Sequence, residues 1–193
     1  MTDNTGILSV SRHEVKKMEF FEVVEKRASY RSAFAEQEIP KEDICKIVTA
    51  GLRAPSGYNF QTTSFVIVRD AEIRRQLAEL LPTPAVRTAP VILVAVSEKK
   101  INEAKGAAHF AFDTQDYAAA VENIMLAIVA MGYAGVWMDG MTRMDEKDAE
   151  IASLLHLPEG KTVRSIIPFG IPTKEVPQKE KKPFEERVVW DRY

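Results

Sequence analysis

Apolar and polar positions along the chain follow two periods in turn, and each change of period marks a change of element. Phe20, Val23, Val24 and Arg27 recur at helical spacing from Glu19, and Ile44, Ile47, Val48 and Leu52 do so again from about Lys41, after Pro40. Two amphipathic helices are predicted there. Ser64–Arg69 (SFVIVR) is short, β-branched and apolar, as a buried strand is, and Ile73, Leu77 and Leu80 follow as a helical stripe. Pro90–Val96 (PVILVAV) is a continuous apolar run that predicts a central strand covered on both faces. A polar stretch to about Thr114 precedes a helix over Gln115–Met131, with Val121, Ile124, Met125 and Ile128 on one face and Ala118, Ala119, Ala127 and Ala130 on the others. Small apolar residues on several faces predict burial all round, at the centre of the fold or of a dimer. Gly132–Trp137 reads as a strand-like turn, Asp145–Leu155 as an amphipathic helix, and Val163–Gly170 (VRSIIPFG) as a last strong strand.

The two ends differ from this middle. Residues 1–17 show no sustained periodicity and read as a mobile arm. Residues 18–193 read as a single domain, without an internal repeat or a dividing linker. Within it, residues 172–193 form an extended tail carrying Pro172, Pro177, Pro183 and the charged run Lys179–Lys182. Val188, Val189 and Trp190 close that tail with a short apolar end, which needs a covering surface on its own chain or another. With 193 residues, 46% hydrophobic and 28% charged, the composition excludes disorder as the default state. The 26 Lys+Arg are scattered among 28 Asp+Glu for a net charge of -2, which argues against nucleic acid as the main partner. The single Cys45 cannot close an intrachain disulfide, and His13, His109 and His156 form no cluster, so no metal site is expected. There is no N-terminal apolar run of signal-peptide length and no apolar span of about 18 residues, so the expected location is cytoplasmic, away from any membrane.

Three clusters carry candidate chemistry. Arg27-Ala28-Ser29-Tyr30-Arg31 follows a predicted helix, and in an extended segment Arg27, Ser29 and Arg31 face one way, as an anion clamp does. The same spacing also suits a helix C-terminus whose arginines satisfy the last carbonyls. Ala54-Pro55-Ser56-Gly57-Tyr58-Asn59-Phe60-Gln61 is a helix stop, or a ligand loop in which Gly57 admits a close approach and Asn59 and Gln61 read polar ring edges. Gly132-Tyr133-Ala134-Gly135-Val136-Trp137-Met138-Asp139-Gly140 holds three glycines but lacks the full dinucleotide fingerprint.

In this order the motifs resemble the nitroreductase family of FMN-dependent oxidoreductases. The resemblance runs from about Glu19 to Glu186 and rests on R-x-S-x-R at Arg27, A-P-S-x-x-N-x-Q at Ala54 and the helix with Glu122-Asn123. It rests also on the G-x-x-G-x-W turn at Gly132 and a late F-G-x-P at Phe169 followed by basic residues and Pro183. It implies an α+β three-layer sandwich, with a central mixed, mainly antiparallel sheet flanked by helices, as an intertwined homodimer whose C-terminal extension packs on the partner chain. FMN would lie at the subunit interface. Arg27 and Ser29 match positions near its phosphate, and Arg31 matches a basic position near the pyrimidine edge of the ring, an electrostatic support. Pro55, Ser56, Gly57 and Asn59 match the loop given by the partner chain, Asp139 and Gly140 match backbone near N5, and Lys179 and Lys181 complete the phosphate site. Trp137 and Phe169 suit the core or the pocket wall.

The implied activity is hydride transfer from NADH or NADPH through the flavin to a small electron-poor acceptor, nitroaromatic or quinone, by a ping-pong cycle without a catalytic side chain. Two positions depart from the family pattern. Thr62-Thr63 stand where Pro-Trp is common, and Lys181 stands where arginine is usual, keeping the charge without the planar fork. The other functions considered are FMN binding without NAD(P)H turnover, flavin-dependent dehalogenation or flavin breakdown, and a dimerisation module with an empty cleft.

Overall fold

A computed structural model describes residues 18–101 and 111–193. The arm at 1–17, His13, His109 and much of the polar stretch before Thr114 lie outside the described residues. Helices α1 (Phe20–Lys26) and α2 (Lys41–Leu52) come first, followed by strand β1 (Thr63–Val68), helices α3 (Ala71–Leu80) and α4 (Pro84–Thr88), and strand β2 (Val91–Glu98). The long helix α5 (Asp113–Ala130), β3 (Ala134–Gly135), α6 (Gly140–Arg143), α7 (Lys147–Leu154) and β4 (Lys161–Gly170) complete the order.

The strands form one sheet in the order β1-β2-β4-β3, every neighbouring pair antiparallel. A parallel bridge between Ser29 and Gly135 adds the mixed character. β2 is central, and its first seven residues are buried because both faces of the sheet are covered. Successive side chains divide between two cores. Ile92, Val94 and Val96 join Leu77, Val86 and Ile151 on the α3, α4 and α7 side, whereas Val91, Leu93 and Ala95 meet Ile44, Ile47, Val121 and Ile124 on the α2 and α5 side. This is the three-layer arrangement expected from the resemblance.

Local signals set the boundaries. The Asp70 carboxylate accepts the backbone N–H groups of Glu72 and Ile73 at 2.9 Å and so starts α3. Thr83 caps α4 through the Val86 N–H, with Pro84 at the first helical position, where a missing N–H costs no bond. α5 runs 18 residues without Gly or Pro, starting two residues before the predicted Gln115. In a single chain it is covered by the sheet and by α2, and its remaining positions are mostly half-buried. Val121, Ile124, Met125 and Ile128 are fully buried against the sheet, while Leu126, Ala127 and Ala130 line a shallow pocket with Phe20, Val23 and Ala50.

Register in the β2–β4 pair jumps by one, with Ala95 opposite Ser165 and Val96 opposite Val163, so Arg164 is the extra residue of a bulge. There the Arg164 Nε donates to the Ser97 hydroxyl at 2.7 Å, and its guanidinium pairs with the buried Asp113. The bulge thereby ties the first turn of α5 to the sheet.

Candidate functional site

α1 stops because Arg27 takes an extended conformation, φ −61 and ψ 116. The chain then runs alongside β3: the Tyr30 N–H donates to the Gly135 carbonyl at 2.9 Å beside the Ser29–Gly135 bridge. Tyr30 turns into the core, where its hydroxyl donates to the Ala33 carbonyl at 2.8 Å and accepts from the Thr173 N–H at 2.9 Å. Alternation in the extended segment sets Ser29 and Arg31 on the other side. The Arg27 Nε lies 3.6 Å from the Glu122 carboxylate on α5. The carbonyls that an arginine cap would have used are taken instead by Gln178, whose side-chain amide donates to Val24 O at 3.1 Å and Arg27 O at 2.8 Å. Arg27 and Arg31 are therefore not caps for the end of α1.

Arg31 reaches the third cluster. It lines a pocket of about 470 Å³ together with residues 83–85 and 136–141, a volume within the range of small-molecule sites. The base of the pocket is held by β4, since Met138 and Ile166 exchange backbone hydrogen bonds at 3.0 and 3.1 Å. The Asp139 carboxylate is engaged by the Tyr117 hydroxyl and by Arg143, whose Nε donates at 2.7 Å. Burial first, and then the bond to Asp139, push the Tyr117 hydroxyl up to about 12. Space above Gly140 is open, for a Cβ built there would meet no atom within 4 Å. The Trp137 side chain packs with the core on the α2 and α5 side, and its buried indole N–H has no hydrogen-bond partner.

The second cluster folds as a tight loop around a 3-10 turn at Gly57–Asn59. Tyr58, Asn59 and Gln61 all adopt left-handed φ, at 52, 57 and 52. The Ser56 hydroxyl accepts the Gln61 N–H at 3.0 Å, and the Asp116 carboxylate accepts the Gly57 N–H at 2.8 Å and the Thr62 hydroxyl at 2.7 Å. Glycine is required at 57, because a Cβ there would come within 2.5 Å of the Phe112 ring.

Of the expected site residues, then, Arg31, Asp139 and Gly140 share a pocket, and Ser29 flanks Gly135 in the same edge of the sheet. Pro55, Ser56, Gly57 and Asn59 form a separate loop held on the start of α5. Lys179 and Lys181 are exposed on the tail, and among the described residues neither makes a hydrogen bond or ion pair. Gln178, Asp116, Tyr117 and the Trp137 N–H escaped sequence reasoning. Asp116 left one signal, an acid in the first turn of a helix that is otherwise apolar, but a carboxylate there also suits the helix dipole. No group of three or more His, Cys, Asp or Glu residues that could hold a metal occurs among the described residues, and no helix among them is long and apolar enough to cross a membrane.

Comparison with known proteins decides the lineage. The model of the nitroreductase family matches residues 24–82 and 79–171. The chain belongs to the nitroreductase family. Among other members, a protein of Methanothermobacter thermautotrophicus provisionally named NADH dehydrogenase/NAD(P)H nitroreductase is 30% identical over 83% of this chain and 81% of its own. The NADPH:FMN oxidoreductase of Vibrio harveyi, solved with NAD+, superposes with a TM-score of 0.75 at 26% identity, over 90% of this chain and 77% of that one. A provisionally named nitroreductase of Desulfovibrio desulfuricans, solved in complex with FMN, gives 0.76 at 25% identity over 92% and 99% of the two chains. The nitroreductase fold, with its antiparallel sheet between helical layers, is thus common to all three structures.

Proposed function

We propose that this nitroreductase-family chain is an FMN-dependent oxidoreductase that passes electrons from NADH or NADPH to a small electron-poor acceptor of the nitroaromatic or quinone type. The observation that carries the proposal is the pocket between Arg31 and the Trp137–Gly140 segment, with open space over Gly140. Its donor set suits a flavin, since one side offers a guanidinium and the other an unhindered backbone. Two relatives bear on the same point, one named for FMN and the other solved with it.

Bound FMN would supply two-electron transfer between NAD(P)H and the acceptor. This chain's residues hold and surround that exchange. Arg27, Ser29, Lys179 and Lys181 bind the phosphate, the arginine by a charge-assisted pair, and Pro183 fixes the register of the lysines. Arg31, which lines the pocket, would supply positive charge to a bound group that takes up negative charge. Trp137 walls the pocket against water. Tyr117 and Arg143 occupy the Asp139 carboxylate, so that the backbone of Asp139 and Gly140 faces the ring without a competing charge.

The proposal includes a homodimer in which Pro55, Ser56, Gly57 and Asn59 serve the flavin of the partner chain. The exposed apolar residues of α1 and of the tail support it: Phe21 is 77% exposed and Trp190 80% in the single chain, apolar area of the kind a partner surface covers. The function is tested by steady-state kinetics with a nitroaromatic or quinone acceptor at several NADH and NADPH concentrations. Parallel double-reciprocal lines are expected; FMN bound without oxidation of either nicotinamide would leave a flavin-binding protein in place of the enzyme.

A further inference from the structure

The loop at 54–62 carries an unusual amount of strain for its length. Tyr58, Asn59 and Gln61 are all left-handed, a conformation that side chains other than Asn and Asp seldom adopt and that persists only where surrounding contacts impose it. Inside the loop the Ser56 hydroxyl braces Gln61, and a buried carboxylate holds the segment at both ends. Asp116 is 5% exposed, and its two oxygens take one partner at each end of the strained segment: Oδ1 accepts the Gly57 N–H at 2.8 Å, and Oδ2 accepts the hydroxyl of Thr62, 2% exposed, at 2.7 Å. Around this clasp, Phe112 closes against Gly57, and the Thr62 carbonyl accepts the Glu98 N–H at 3.0 Å, fixing the far end to β2.

We infer that Asp116 and Thr62 are positioning residues for the flavin loop: their bond, with the one to Gly57, holds Ser56–Asn59 in the shape that receives FMN. The inference rests on the proposed function, since it names how that site is kept in order. It also accounts for the departure at position 62. Proline, common there in the family pattern, would stiffen the chain covalently but could not donate to Asp116. Thr62 stiffens it through a hydroxyl bonded to a buried charge, which is stronger than a neutral hydrogen bond. Asp116 belongs to the first turn of α5, which the Arg164–Asp113 pair anchors to the sheet, so the clasp is mounted on a rigid support.

The test is FMN titration of the full-length protein, followed by flavin fluorescence well below the melting midpoint of each variant. Thr62→Val keeps the shape and removes the hydroxyl, Thr62→Ser returns it, and Asp116→Asn keeps the size and removes the charge. The dissociation constant is expected to rise about tenfold in Thr62→Val and Asp116→Asn, corresponding to one hydrogen bond to a charged group, and to return toward the wild-type value in Thr62→Ser. Exchange of the Gly57 amide with solvent should quicken in the first two and not in the third. A Thr62→Val or Asp116→Asn protein that melts lower yet binds FMN as wild type does would overturn the inference and leave the proposed function standing. Wild-type protein that takes up no FMN would overturn both.

Discussion

At the residue scale, the site depends on which side chains are already committed elsewhere. Gln178 relieves Arg27 of capping duty, leaving the guanidinium, 21% exposed, with Glu122 at 3.6 Å as its one partner among the described residues. Arg27→Ala should therefore weaken FMN binding roughly ten- to hundredfold, as loss of a charge-assisted contact of about 1.5–3 kcal/mol does; unchanged affinity in a titration would remove Arg27 from the site. Tyr117 makes a prediction in pH. Its hydroxyl moves from 10.0 to about 12 in the folded chain, so between those values the unfolded chain loses a proton that the native one keeps. Stability from this group is whole below about pH 10 and is lost as pH rises toward 12. Urea midpoints measured across that window should fall less steeply in Tyr117→Phe than in wild type, although Tyr133, raised by burial and by its bond to Asp43, keeps a residual slope in both. The extended run through Ser29 and Arg31 was legible because two-residue alternation is a local property. Gln178 was not, since its partners lie more than 150 positions away.

At the scale of elements, the long apolar runs were legible and the short or irregular pieces were not. Pro90–Val96 read as a buried strand because a strand covered on both faces needs no polar alternation, and β2 occupies Val91–Glu98. α4 has five residues, too few for a hydrophobic period, although Thr83-Pro84 carried a cap signal. The bulge at Arg164 and the left-handed residues at 58, 59 and 61 depend on contacts from Asp113, Phe112 and Asp116, and only Asn59 hints at its conformation in the sequence. The helix expected over Asp145–Leu155 instead starts at Lys147, because Asp145 and Glu146 are left-handed. Gln178 joins two elements, the tail and the end of α1. Gln178→Ala should cost about 1–2 kcal/mol, the net worth of two hydrogen bonds, and should quicken tryptic cleavage after Lys179 and Lys181; an unchanged melting midpoint and cleavage rate would show that the clamp does not hold in solution.

At the scale of the whole molecule, one chain places Arg31, Asp139 and Gly140 together and leaves the Pro55–Asn59 loop and the tail lysines apart. In the proposed homodimer, the second copy would bring its loop to that pocket. α5, read from the sequence as buried on every side, is covered by the sheet and by α2, and its half-buried face beside Phe20, with the apolar tail end, is where a partner would pack. Truncation after Pro183, which removes Phe184, Val188, Val189 and Trp190, should shift the sedimentation profile from dimer toward monomer. An unaltered profile would detach the tail from the interface. Electron transfer is read most directly from the visible absorbance of the purified protein after incubation with FMN, recorded anaerobically before and after NADH and then NADPH. A flavin band that travels with the protein and bleaches with one of the nicotinamides is the predicted result. A protein-bound band that persists with both, or no band at all, would contradict it.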